Sequence, residues 1–333
     1  MDALLRALGV TRVARVTGLD RCGVEVACAI RPLGHVLQVS NGKGETWEEA
    51  RGTALSEAAE LWAAERVPQA DLVHARAREL AHAWEMRDLV APRLWSKDVR
   101  IAWVRGRELF SGAEVLVPAQ VVYCLPRGGP SLGPLCMRWT SNGMGAHPVR
   151  ERAVRHALLE AMERDQLSRA LPAGWTPRAI ADRKLDASRL PLWKKLRDRG
   201  FEAHVFDLSG RLPVAGAILV DLEEGPLPVT AGYACGLTPE EAVRGALLES
   251  AQSRLTDVHG AREDVRPAER AAMLALRAAC ERARPGRTLR QMPRVRNLRA
   301  ALREKRVAVV DLAREPLHVV KAVAPDLRLS ELL

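Results

Sequence analysis

An internal repeat constrains the fold of this chain more than any other feature of its sequence. Residues 141–160 and 230–249 align without a gap at an offset of 89, and the match includes Gly143 with Gly232 and Glu160 with Glu249. A third copy, two residues shorter, runs from Ser40 to Glu57. Repetition of this kind predicts supersecondary units that bury one face against their neighbours.

Each unit reads as a glycine turn followed by a helix, and the helices alternate with apolar strands along the chain. No long polar linker separates the two halves. We therefore expect an α/β fold in which repeated glycine turn–helix units pack on mixed β-sheets within one domain, residues 1–333. Helices are predicted at 46–65, 149–169, 190–199, 239–256 and 268–283, and strands at 24–30, 36–39, 101–104, 115–122, 203–208, 215–220, 307–312 and 317–323.

Composition excludes several classes of protein. With 47% hydrophobic and 28% charged residues in 333 positions, neither a disordered nor a fibrous chain is expected. No apolar run approaches the roughly 20 residues of a membrane span, and the first residues do not resemble an export signal. The six cysteines form no C-x-x-C pair. These features predict reduced thiols and a cytoplasmic location, with no membrane partner.

The formal charge of +10 raises the question of nucleic acid as a partner. Against it, the basic residues are dispersed along the chain, and Phe and Tyr together number only five (3 and 2), too few for base stacking. Nucleic-acid binding is therefore not favoured.

The repeated helices carry acidic residues at matching positions. Glu57 and Glu60 are three residues apart, as are Glu160 and Glu163, so each pair shares one helix face with about 5–6 Å between Cβ atoms. Such paired carboxylates attract hard cations, and Mg²⁺ so bound keeps positions open for phosphate oxygens. The pattern indicates a metal–nucleotide site as readily as it indicates solvated helix faces. The third helix carries Glu249 and Gln252.

Basic residues near these positions have two readings. Arg164, Arg254 and Arg262 could contact phosphate, or could pair with neighbouring acidic residues. Lys43 could reach a phosphate or be a solvated lysine at a helix entry. His156 precedes an apolar run and is expected to be packed. The sequence contains no Walker loop, so a bound nucleotide would depend on carboxylate-held Mg²⁺ and arginines.

With these motifs in view, nearly the whole chain resembles the YcaO family. The resemblance rests on three ordered motifs: 40–44 (SNGKG) leading to 53–60 (TALSEAAE); 141–143 (SNG) leading to 157–165 (ALLEAMERD); and Glu249 followed by 252–254 (QSR) and 260–264 (GARED). It implies an ATP-binding α/β fold in which Glu57, Glu60, Glu160 and Glu163 coordinate Mg²⁺. It also implies nucleotide contacts from Thr53, Arg164, Gln252, Arg254 and Arg262, and it assigns no catalytic residue.

The reaction that this resemblance implies is ATP-dependent activation of a peptide backbone amide. A nucleophile adds to the carbonyl carbon, the resulting oxygen is phosphorylated, and phosphate leaves. A side-chain nucleophile gives an azoline, sulfide gives a thioamide and an amine gives an amidine. Residues 16–24 and the pair Glu60-Leu61 are similar to the subgroup associated with TfuA proteins, which implies thioamide formation on a peptide or protein substrate with a TfuA-like partner.

Three departures from the family pattern bear on these expectations. Leu61 stands where many members have arginine, and Thr53 where serine is usual. The chain ends without the proline-rich tail associated with azoline-forming members. An azoline-forming cyclodehydratase with a separate leader-binding protein remains the alternative enzyme, and a non-catalytic nucleotide-binding scaffold the alternative outside catalysis. A homodimer is left open.

Overall fold

The structure is a computed structural model that describes residues 2–91, 93–171, 178–180, 190–223, 225, 227–260 and 270–328. The helices are α1 (Asp2–Leu8), α2 (Trp47–Ala64), α3 (Ala119–Val122), α4 (Arg150–Ala170), α5 (Pro191–Arg197), α6 (Pro239–His259), α7 (Arg270–Glu281) and α8 (Leu298–Ala301). The strands are β1 (Arg12–Arg15), β2 (Glu25–Ile30), β3 (Val39–Gly44), β4 (Val73–Arg76), β5 (Arg100–Glu108), β6 (Glu114–Pro118), β7 (Met144–His147), β8 (Arg178–Ala179), β9 (Phe201–Asp207), β10 (Val214–Asp221), β11 (Val229–Cys235), β12 (Arg284–Pro285), β13 (Ala308–Ala313) and β14 (His318–Val323).

These strands form three sheets, which confirms the expected α/β class. The first has the order β1-β2-β3, and the second the order β4-β5-β13-β14-β7 with β6 also paired to β5; every pair in both is antiparallel. The third has the order β11-β10-β9-β8-β12 and is mixed, because β12 pairs with β8 in parallel. Among the described residues, no helix combines the length and apolar character needed to cross a bilayer.

Two of the three glycine segments of the repeat are strands where turns were expected, whereas Gly143 of the other segment lies in a turn, with a φ of 77°, that leads directly into β7. Residues 40–44 lie in β3, Gly145 lies in β7 and Gly232 lies in β11. A Cβ on Gly42 would lie 2.1 Å from the Ala50 carbonyl oxygen, and one on Gly145 would lie 2.2 Å from that of Ala153. Glycine is therefore required because the following helix packs directly against the strand backbone.

The three repeat units are β3–α2, β7–α4 and β11–α6. Their helices start at residues 47, 150 and 239, so the offsets between equivalent positions are 103 and 89. These offsets also relate Glu57, Glu160 and Glu249. Gly42 and Gly145 each precede by eight residues the alanine that they approach, so the first two units match without the length difference expected from sequence.

The units close into a ring. Each helix packs on the strand of its own unit and also on the strand of the next: α2 on β7, α4 on β11 and α6 on β3. Equivalent ion pairs reinforce two of these boundaries on the outer side, from Arg155 of α4 to Glu241 of α6 and from Arg244 of α6 to Glu49 of α2. The same helix faces are therefore directed toward the middle of the ring.

Small buried residues let the helices approach the strands. Each repeat helix presents alanines at or near helical spacing, all essentially without exposed surface. Side chains this small allow close packing of helix against strand backbone. The alanines are Ala50, Ala54 and Ala58 on α2, Ala153, Ala157 and Ala161 on α4, and Ala242, Ala246 and Ala251 on α6.

The predicted helices agree with the structure within a few residues, but two predicted strands do not. Of the strand predicted at 36–39, only Val39 is in a strand, as the first residue of β3. The backbone N–H groups of His35 and Val36 donate to the buried Glu65 carboxylate at 2.8 and 3.0 Å instead of pairing with a neighbouring strand. The strand predicted at 115–122 ends at Pro118, where the chain turns into α3, since proline removes a backbone donor from the ladder.

Candidate active site

Five carboxylates from the three repeat helices converge at the centre of the ring. Glu57 and Glu60 lie on α2, Glu160 and Glu163 on α4, and Glu249 on α6. Glu60 interacts electrostatically with Glu57 and Glu160, and Glu163 with Glu160 and Glu249. The acidic residues of the repeat therefore form one connected cluster and are not solvated helix faces.

Backbone amides of the next unit orient the second glutamate of each pair. The Ala146 N–H of β7 donates to the Glu60 carboxylate, and the Cys235 N–H of β11 donates to Glu163 Oε2 at 3.0 Å. Glu60 and Glu163 are each only 8% exposed. These carboxylates are consequently held in place across the unit boundaries.

The acidic cluster carries more negative charge than its surroundings stabilise. Burial raises the pKa of Glu60 well above its ordinary value, and the neighbouring Glu160 and Glu57 raise it further. Burial likewise raises the pKa of Glu160 to about 7 and that of Glu163 to about 8, although Arg164 opposes both shifts. Carboxylates of this kind bind protons near neutral pH unless a metal cation lies between them.

Three basic side chains border the cluster. Arg164 Nη2 lies 3.6 Å from Glu163 Oε1, and its Nε is buried with no hydrogen-bond partner within the part of the chain that the structure describes. Lys43 Nζ donates to Glu249 Oε2 at 2.6 Å. Lys321 on β14 is 2% exposed and donates to the Thr140 carbonyl oxygen. An unsatisfied guanidinium donor beside a cluster of carboxylates fits a phosphate group.

Lys43 and Arg164 make Glu249 different from the other glutamates. Burial raises the pKa of Glu249, but the adjacent Lys43 and Arg164 outweigh it, and the net shift is downward. Glu249 therefore stays ionised while Glu160 and Glu163 are poised to exchange protons for a metal ion.

The residues expected from the resemblance to contact the nucleotide lie in different surroundings. Thr53 is exposed on α2, where its hydroxyl accepts from the Lys43 N–H at 2.9 Å and donates to the Lys43 carbonyl oxygen at 3.0 Å, fixing the backbone of β3. Gln252 is half-buried on α6, one turn beyond Glu249. Arg262 lies outside the described residues. Neither Thr53 nor Gln252 has a contact here that assigns it to nucleotide.

Arg254 follows the second of its two readings and pairs with acidic residues, but these lie far from it in the sequence. Its Nε and Nη2 pair with Asp20 and Asp221, each at 2.8 Å, and Nη1 donates to the Leu227 carbonyl oxygen. The residue is 4% exposed. Because all three nitrogens are engaged, we do not retain Arg254 as a phosphate ligand.

The sequence also misplaced or missed several residues of the site. His156, expected to be packed, is exposed on α4. Lys321 was missed, although a lysine within the apolar segment 317–323 was a detectable signal. Glu249 was noted in the repeat but was not predicted as a ligand, because Gln252 breaks the pairing of carboxylates.

The donor set fits Mg²⁺ that shares its coordination with phosphate. Carboxylate oxygens are the ligands that Mg²⁺ prefers, and it binds proteins through one or two of them together with substrate phosphates. No three acidic, histidine or cysteine side chains in the described ranges are grouped tightly enough to hold one ion by themselves. The arrangement therefore suits ions completed by a nucleotide rather than a closed structural metal site.

Comparisons with known proteins agree with this geometry. Residues 41–328 match the family described as YcaO cyclodehydratase, ATP- and Mg²⁺-binding. An uncharacterized protein of Methanothermobacter thermautotrophicus is 34% identical over 275 residues, 80% of this chain and 70% of the relative. An uncharacterized protein in the tfuA 3′ region of Rhizobium leguminosarum bv. trifolii is 31% identical, over 79% of this chain and 66% of the relative. The matched part of the chain thus spans about two thirds of these relatives.

Among solved structures, YcaO from Methanopyrus kandleri bound with AMPPCP and Mg²⁺ has a TM-score of 0.74 at 25% identity, over 97% of this chain and 87% of that one. The chain belongs to the YcaO family. Membership confirms the expected ATP and Mg²⁺ as its cofactors.

Proposed function

We propose that this chain is an ATP- and Mg²⁺-dependent enzyme that activates a peptide backbone amide, and that its product is a thioamide formed with a TfuA-like partner. The observation that carries the proposal is the convergence of carboxylates from three repeat helices beside an arginine whose Nε lacks a partner in the described structure. Membership of an ATP- and Mg²⁺-binding family supports the cofactors.

In this proposal Glu57, Glu60, Glu160 and Glu163 would hold Mg²⁺, and Arg164 would contact the phosphate chain. The bound cofactors supply the phosphoryl group and the charge neutralisation that turn an amide oxygen into a leaving group. The contribution of the chain is to hold these side chains before the cofactors arrive. Hydrogen bonds from Ala146 to Glu60 and from Cys235 to Glu163 provide that order.

The atoms balance for thioamide formation. Sulfide would add to the carbonyl carbon of the peptide, and the resulting oxygen would receive the terminal phosphoryl group of ATP. Phosphate would then leave with that oxygen as the sulfur loses its proton and the carbon–sulfur double bond forms. ADP and phosphate are released, and no oxidant or reductant is needed. The similarity to a protein whose gene region is named for tfuA supports the partner and hence this product.

Azoline formation is the second candidate, and the description of the family as cyclodehydratases favours it. Here a Cys, Ser or Thr side chain of the peptide is the nucleophile, and the same phosphate-leaving step removes one water. The two products differ in mass in opposite directions. Exchange of oxygen for sulfur makes the peptide heavier, and ring closure makes it lighter.

Mass spectrometry of the peptide tests the proposal. The chain is incubated with ATP, Mg²⁺, sodium sulfide, a TfuA-like protein and a candidate precursor peptide. We expect a heavier peptide with wild type and with the control Glu151→Gln, an exposed residue of the same helix, but none with Glu160→Gln. A lighter peptide supports the azoline alternative. ATP binding without hydrolysis or product indicates a scaffold, and product from folded Glu160→Gln contradicts the site.

A further inference from the structure

Lys43 occupies a position of the repeat that is uncharged in the other two units. The offsets of 103 and 89 relate Lys43 on β3 to Ala146 on β7 and to Cys235 on β11. Ala146 and Cys235 are the residues whose backbone N–H groups hold Glu60 and Glu163 of the preceding unit. Lys43, on β3, therefore lies at the boundary with α6, where the third unit meets the first and closes the ring.

The first two boundaries between units have equivalent sets of side chains. The boundary of the first and second units combines Glu57, Glu60 and Glu160. The next boundary combines Glu160, Glu163 and Glu249. The electrostatic partners of Glu60 and Glu163 follow this pattern, since each interacts with the first glutamate of its own helix and of the next.

The third boundary departs from the pattern in two linked ways. Gln252, an amide, stands where the other two helices carry their second glutamate. The residue of β3 on the facing side of this boundary is a cation, Lys43. The Lys43 ammonium reaches Glu249 Oε2 at 2.6 Å, while the Lys43 N–H turns to Thr53 and not to α6. One negative charge has been removed from this boundary and one fixed positive charge has been added.

We propose that Lys43 is a positioning residue that takes the place of a metal ion at the third boundary of the ring, so that the site accepts Mg²⁺ only at the other two. This inference rests on the proposed ATP and Mg²⁺ site. The other two boundaries offer a divalent ion two carboxylates on one helix, whereas α6 offers only Glu249 beside Gln252. A divalent ion therefore binds more weakly at the third boundary, and a single ammonium matches its one carboxylate. Lys43 thereby holds the Glu249 carboxylate in place, and its own ammonium group supplies a single positive charge beside the phosphate chain.

The proposal is tested by counting bound Mn²⁺, whose free form is measured by electron paramagnetic resonance, at saturating AMPPCP. The variant Lys43→Met/Gln252→Glu restores the acidic pattern at the third boundary, and we expect it to bind one more Mn²⁺ per chain than wild type. The matched control is Lys97→Met, which removes an exposed lysine paired with Glu85 and should leave the count unchanged. Circular dichroism verifies folding.

An unchanged count in the folded double variant overturns the role of Lys43. If that variant does not fold, Lys43→Met alone is compared with wild type over a range of Mn²⁺ concentrations. We expect about a tenfold weaker affinity for AMPPCP at low Mn²⁺, with the deficit closing as Mn²⁺ rises. A deficit independent of Mn²⁺ overturns the proposal. Wild type that shows no Mn²⁺-dependent AMPPCP binding instead contradicts the proposed function itself.

Discussion

Glu163 of α4 accepts a hydrogen bond from the backbone N–H of Cys235 on β11 at 3.0 Å, and this contact joins two repeat units across the site. An equivalent bond joins Glu60 to Ala146. A side chain that is both buried and hydrogen-bonded to the next unit has a defined orientation before any cofactor binds. Substitutions that keep this hydrogen bond but remove the charge can therefore change cofactor binding without unfolding the protein.

Glu163→Gln should lose cofactor affinity while remaining folded. The amide oxygen still accepts from the Cys235 N–H, so the packing of α4 on β11 is kept, but the negative charge for Mg²⁺ is lost. We expect AMPPCP affinity in the presence of Mg²⁺ to fall by about tenfold to a hundredfold. Isothermal titration calorimetry measures it, with Glu151→Gln as control, and equal affinities of the two variants would exclude Glu163 as a ligand.

Metal-free protein should lose stability as pH rises from 5 to 7 through its acidic cluster. The folded pKa values of about 7 for Glu160 and about 8 for Glu163 lie above the ordinary value of 4.5, so the folded state binds more protons than the unfolded state in this range. The free energy of unfolding then falls with pH, by at most about 1.4 kcal/mol per pH unit for each group.

The measurement compares wild type with Glu160→Gln/Glu163→Gln by urea denaturation in the presence of a chelator. We expect the free energy of unfolding of wild type minus that of the variant to decrease between pH 5 and pH 7. Taking this difference removes the contribution of the histidines, which are common to both proteins. A difference that is flat or rises with pH would show that these carboxylates are ionised in the metal-free fold.

Gly42→Ala should destabilise the protein by about 3 kcal/mol or more, because the new Cβ would lie 2.1 Å from both the Ala50 carbonyl oxygen and the Ala54 nitrogen. The matched control is Gly52→Ala on α2, where no atom lies within 4 Å of the added Cβ. That change should stabilise the helix by about 0.5–1 kcal/mol. Equal effects of the two changes in urea denaturation would contradict the close packing of β3 against α2.

Arg254→Met should affect stability and leave cofactor binding unchanged. The substitution leaves Asp20 and Asp221 with fewer partners in a buried network, and breaking such a network costs about 3–5 kcal/mol. The exposed Arg211, paired with Glu304, gives the control Arg211→Met, for which little change is expected. Calorimetry follows unfolding and AMPPCP affinity. A folded Arg254→Met variant with greatly weakened affinity would restore this residue as a phosphate ligand.

The sequence predicted the units of the fold better than their connections. The repeat located Glu57, Glu160 and Glu249, and helical spacing placed Glu60 and Glu163 on the same faces, since both signals depend on neighbours within one helix. The glycine segments of β3 and β11 were misread as turns, whereas Gly143 does lie in one. Strands β3 and β7 require glycine because a helix packs directly against their backbone. This contact cannot be predicted from the neighbouring residues in the sequence.

Amino-acid sequence alone determined that equivalent helices carry acidic residues, because periodicity and self-similarity are properties of the printed chain. Tertiary structure decided which boundary each residue faces. It committed Arg254 to Asp20 and Asp221, brought Lys321 beneath the cluster from β14, and placed Lys43 against Glu249 across the closing boundary. These pairings join residues that are remote in sequence. Their charges interact strongly only because the ring of three units brings them together in a buried space of low polarity.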